Sequence, residues 1–129
     1  MARYKKLATV LKRVDYKKSY KPTKKNTAMM FNILNHSIFN GKLQMPNIRI
    51  RKLRGALGEY CYDTNDQDFS EISLTTQYHN MQHFINVLAH EMVHQYQVTI
   101  QKDSGNHNQK FYRWKNKFAK MGLELGRTA

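Results

Sequence analysis

A helical pattern from about Asn80 to Ile100 constrains this 129-residue chain more than any other feature. At about 100° per residue, Ile85, Leu88, Ala89, Met92 and Tyr96 share one face, and His83, His90 and His94 fall on the other. Within it, His90-Glu91-Met92-Val93-His94 places two histidines four residues apart, where their side chains project together. Two such imidazoles can share one Zn²⁺, which favours nitrogen ligands in near-tetrahedral geometry. Glu91 is turned partly around the helix from His90. From there a carboxylate can take a proton from a zinc-activated water as it attacks a peptide carbonyl, without occupying a metal position. An ordinary polar helix face would carry the same histidines, so more is needed than this spacing.

A mononuclear zinc site of this kind has a third protein ligand and an open fourth position. The extended pattern that continues with a glycine and a third histidine on the same segment is absent, because those positions hold Gln97 and Ile100. The candidates are His107, Asp103 and Glu124. His107 is preferred: it follows the turn at Gly105, starts the last helix and offers an imidazole. Asp103 suits shaping the turn or orienting a histidine from behind, and Glu124 lies past the final helix. His83 reads as solvent-facing or supporting, and His79 and His36 as structural or exposed. Cys61, the single cysteine, reads as a small packed residue; alone it forms no internal disulfide and no cysteine-rich zinc ribbon.

Around this helix the periodicities predict an α+β fold. Leu7, Val10, Leu11 and Val14 stand at helical spacing in a basic segment, either a short amphipathic helix or a frayed arm. A helix begins near Lys21-Pro22-Thr23, with Thr23 or Asn26 as cap, and ends at Asn40-Gly41. Ile48-Arg49-Ile50-Arg51 alternates as a strand, Ala56 to Tyr62 reads as a second after a turn at Arg54-Gly55, and Glu71 to Leu74 as a third. The expected architecture is an N-terminal helix, a small three-stranded antiparallel sheet, the metal helix, and a closing helix with Phe111, Trp114, Phe118 and Met121 on one side. Residues 1–22 are expected to be a basic arm and 23–129 the domain.

The formal net charge is +13. Lys and Arg crowd residues 3–25, recur at Arg49, Arg51, Lys52 and Arg54, and return from Lys102 onward, whereas the stretch from Gly55 to Gln101 has none and holds Glu59, Asp63, Asp66, Asp68, Glu71 and Glu91. A balance this basic suits a polyanionic partner, nucleic acid first. The candidate contacts are Lys5, Lys6, Lys12, Arg13, Lys17, Lys18, Lys24 and Lys25, with Tyr4, Tyr16 and Tyr20 interleaved for base stacking. No apolar run is long enough to span a bilayer. Leu7 to Leu11 is too short for an export signal and runs into Lys12 and Arg13, so a cytoplasmic protein is expected, nucleoid-associated if it binds DNA.

Five segments, in this order and spacing, resemble the SprT-like metalloproteases, which include the bacterial SprT proteins and the Spartan-type proteases that degrade proteins crosslinked to DNA. They are Asn35 to Leu43 before a proline, Gly58-Glu59-Tyr60, Ile72-Ser73-Leu74, Leu88 to Tyr96, and Asp103 to Phe111 followed by Met121-Gly122-Leu123. The resemblance spans roughly Thr23 to Leu125. It implies one zinc ion per chain on His90, His94 and His107, with Glu91 catalytic. It further implies an endopeptidase acting on proteins bound or crosslinked to DNA; single-stranded or junction DNA is the favoured partner, and a monomer is expected. The family usually has glycine after the third histidine, where this chain has Asn108. Two other readings stand beside it: a non-catalytic DNA-binding module with a structural zinc, and a metallopeptidase dedicated to one regulatory or assembly protein.

Overall fold

In the computed structural model, which describes residues 6–65 and 69–126, eight elements follow one another. They are α1 (Leu7–Lys12), α2 (Lys24–Ile38), β1 (Asn47–Ile50), β2 (Gly58–Tyr62), β3 (Ser70–Leu74), α3 (Met81–Thr99), α4 (Gln109–Tyr112) and α5 (Trp114–Lys120). The two long helices start on side-chain caps. Thr23 accepts from the Asn26 backbone N–H at 3.0 Å, and Asn80 from that of His83 at 2.8 Å, each satisfying one orphan donor of a first turn. Helix α2 stops where Asn40 and Gly41 take positive φ, 55° and 71°.

The class is α+β as expected, but the sheet is mixed, not antiparallel. Its order is β1-β3-β2: β2 pairs antiparallel with β3 (Tyr60 opposite Ile72), while β1 pairs parallel with β3 (Ile48 opposite Ile72). The chain reverses near Gly55 and again between β2 and β3, so β1 and β3 necessarily run the same way. Burial decides which strand sits in the middle. Ile72, Ser73 and Leu74 are completely buried, whereas β1 and β2 carry only half-buried and exposed residues. The strand covered on both faces becomes the centre.

The core lies between α2, the sheet and α3, with Phe31, Leu34, Ile72, Phe84, Leu88 and Phe118 fully inaccessible to solvent. Leu7 of α1 belongs to this core, and Val10 and Leu11 pack against it. Residues 7–12 thus form the short amphipathic helix. Among the described residues no helix is long and apolar enough to cross a membrane.

Candidate metal centre

Helix α3 is buried on both faces along its middle: Leu88, Ala89 and Met92 face the core, and His90, Glu91 and His94 are themselves at most 8% exposed. The histidine face is therefore covered rather than solvated, which separates it from an ordinary polar helix side. The cover comes from β2 and from the loop after α3. That loop turns through Lys102 and Gly105, both at positive φ (55° and 80°), and brings exposed His107 back over α3.

The three imidazoles converge. Nε2 of His90 lies 3.2 Å from Nε2 of His94 and 3.3 Å from Nε2 of His107. Nitrogen ligands about 2.0–2.1 Å from a tetrahedral zinc stand about 3.3–3.4 Å apart; these two separations match that, all three donor atoms lie within 4.8 Å of one another, and the donor set is compatible with zinc. Burial, and then the neighbouring imidazoles, lower the pKa of His90 to about 3 and also lower that of His94. Both rings are thus neutral with a lone pair to give, as a metal ligand must be. The three histidines could hold a metal ion.

Supporting contacts orient the rings. His94 Nδ1 pairs with Gln97 Oε1 at 2.9 Å, which turns Nε2 toward the cluster. Gln97 is fully buried. Its Nε2 reaches Asp103 Oδ2 at 3.1 Å, the Asn106 carbonyl at 2.8 Å and Asn108 Oδ1 at 3.2 Å. One side chain thereby connects a ligand on the helix to the loop that carries the next. Asn108 also donates to Asp103 Oδ2 at 3.0 Å and caps α4 through the Phe111 N–H at 3.2 Å. Its φ is −105°, so the position usually held by glycine in the family needs no left-handed backbone here, and the amide adds hydrogen bonds that glycine lacks. Beneath the cluster, the Phe111 ring lies 4.9, 4.9 and 4.7 Å from the rings of His90, His94 and His107.

Glu91 Oε2 sits 4.0 Å from His90 Nε2. Burial, and secondarily the charge of Glu59, raise its pKa to about 8. A cation among the three histidines acts the opposite way and favours the carboxylate. Strand β2 passes directly over Glu91 at Gly58, where a Cβ would stand 2.8 Å from Val87 Cγ1 and 3.2 Å from Glu91 Cγ and Oε2. Only glycine allows that approach.

The remaining sequence candidates lie elsewhere. Asp103 supports Gln97 and Asn108, and Glu124 is outside the cluster. His83 stacks on His79 and packs edge-on against Tyr78. The Tyr78 hydroxyl is committed to the Leu57 carbonyl and the Thr75 N–H. Cys61 donates to Glu59 Oε1 at 3.2 Å. Lys6, Lys12 and Arg13 lie on and around α1, Lys17 and Lys18 in the following turn, and Lys24 and Lys25 in the first turn of α2, all exposed. Lys5 and Tyr4 fall outside the described residues. Gln97, Phe111 and the capping role of Asn108 were missed from sequence. The available signals were the spacing of Gln97 one turn beyond His94 and of Phe111 one turn beyond His107.

An α+β domain with a covered three-histidine cluster and an adjacent buried glutamate defines the class. The particular family follows from the sequence: the profile of the SprT-like family matches residues 27–128, and the chain belongs to that family. A search of curated proteins gave no match.

Proposed function

We propose that this domain is a zinc-dependent endopeptidase. The observation that carries the reading is the convergence of three imidazole nitrogens with the Glu91 carboxyl 4.0 Å from one of them. Zinc in such a site supplies Lewis acidity, which activates water near neutral pH and polarises the peptide carbonyl. His90, His94 and His107 would hold it, and Gln97 fixes the tautomer of His94. Glu91 takes the proton of the attacking water and passes it to the departing amine. Gly58 keeps β2 close enough to shield Glu91 from bulk solvent. The test is zinc content together with cleavage of an unfolded protein such as casein. About one zinc per chain, lost in His107→Ala, and hydrolysis abolished in Glu91→Gln with zinc retained, are expected. Wild-type protein that takes up no zinc, or a Glu91→Gln variant as active as wild type, overturns it.

The substrates we propose are proteins associated with or crosslinked to DNA. Support comes from the charge of +13 and from the placement of Lys24 and Lys25. These lysines stand in the first turn of α2, which contains no acidic residue. Positive charge at that end of a helix opposes its dipole by about 0.3–1 kcal/mol, so helix stability does not account for it. Among the described residues, none of the seven candidate cations forms an ion pair. They remain available for phosphates.

A further inference from the structure

A second groove, of roughly 630 Å³, opens beside the metal cleft, whose own volume is roughly 380 Å³. The two adjoin, with Tyr60, Tyr62 and Val98 lining both. Their chemistry differs. The metal cleft is walled by His90, Glu91, His94, Ser104, Asn106 and His107. The second groove is walled by Met45, Phe69 and Ile100, 46%, 37% and 42% exposed, together with the shared Tyr62, 42% exposed. Seven large hydrophobic side chains are exposed among the described residues, and these are four of them. Exposed apolar surface is thus gathered at one place, against the candidate catalytic cleft, and such gathering marks a binding surface.

The walls are built in advance of any ligand. Asn35 holds the chain before Met45 through a reciprocal pair with Leu43, 2.8 Å to its carbonyl and 3.1 Å from its N–H. Gln95 of α3 donates to the Gln44 carbonyl at 2.7 Å, which ties that wall to the metal helix. Charges of both signs line the groove, Lys42 and Lys102 against Asp63 and Asp103, so it does not favour one sign of ligand.

We propose that this groove receives a bulky apolar or aromatic side chain of the polypeptide being cut, a few residues from the scissile bond. The domain then selects unfolded segments rich in buried-type residues, because a folded substrate keeps such side chains inside. The inference rests on the peptidase reading, and the experiment separates the two. Quenched fluorescent peptides identical except for one position, Phe, Gly or Asp, are compared as that position is moved along each side of the cleaved bond. Wild type should favour Phe at one fixed position by about 10-fold or more in kcat/KM. Ile100→Asp and Met45→Asp should each bring the ratio of Phe to Gly peptide to within about 2-fold, because a buried carboxylate opposes an apolar ligand. Met29→Asp, on the exposed side of α2, should keep both the rate and the ratio. Binding of the same peptides to Glu91→Gln protein, read by fluorescence anisotropy, repeats the comparison without turnover. Phe-selective binding lost in Ile100→Asp, with no cleavage by wild type, upholds the groove and overturns the peptidase. Cleavage with no preference at any position, or a preference that survives both aspartates, overturns the groove.

Discussion

At the scale of single residues, Gln97 shows how much of a metal site lies behind its ligands. Its carboxamide is fully used: the oxygen faces His94 Nδ1, and the nitrogen faces three oxygens of the loop that presents His107. Gln97→Ala frees the His94 ring to rotate and cuts the helix from the loop together. Zinc affinity, measured by competition with a chromophoric chelator, is expected to fall about 10–100-fold. Gln97→Glu keeps the acceptor for His94 but sets a carboxylate against Asp103, so it should restore little. Cys61 makes the opposite kind of prediction. Burial foremost, then the hydrogen bond to Glu59, pushes its thiol up to about 11. Only the thiolate is nucleophilic, so alkylation by iodoacetamide at pH 7.5 should be on the order of 100-fold slower than for a free thiol, and should accelerate as the pH approaches 11.

At the scale of elements, the close crossing of β2 over α3 depends on Gly58. Gly58→Ala presses a methyl group into Val87 and Glu91. The expected loss is about 1–3 kcal/mol by denaturant titration, with reduced hydrolysis because Glu91 must shift. Adding Val87→Ala makes room, so the double variant should be less destabilised than the two single changes summed. The elements themselves were largely legible in the sequence. Thr23, the Asn40-Gly41 stop and the apolar face of α3 carry their signals locally, within one or two turns. Strand pairing was not legible, because alternation in Ile48 to Arg51 names a strand but not its neighbour. Only the total burial of Ile72 to Leu74, a tertiary fact, places β3 between the others. The site divides the same way. His90, Glu91 and His94 announce themselves by spacing on one helix, and His107 by its chemistry and the turn before it. Gln97 and Phe111 belong to the site only through the fold of the loop that separates them.

At the scale of the whole molecule, charge and metal each have a measurable signature. DNA affinity should fall steeply with salt, with a slope in a double-logarithmic plot of about −0.9 per phosphate neutralised on duplex DNA. Lys17→Glu, Lys18→Glu, Lys24→Glu and Lys25→Glu together should weaken binding to any sequence and flatten that slope. A slope unaltered by the four changes would move the phosphate contacts elsewhere. Zinc should raise the melting temperature, since a ligand at 1,000 times its Kd adds about 4 kcal/mol to the native state. A chelator should reverse the gain, and His107→Ala should abolish it.

The position of β3 in the sheet also has a consequence for how the chain is made. A ribosome delivers residues 47–62, the two outer strands, before the strand that both of them need. Until Ser70 to Leu74 has emerged, β1 and β2 have no partner in the sheet, and β2 has nothing to hold it over the segment that will become the metal helix. A nascent chain halted near residue 65 is therefore a helix pair trailing two unpaired strands, open to chaperones and to pairing with other chains. His90, His94 and His107 follow later still, so the histidine cluster is assembled only after the scaffold that confines it.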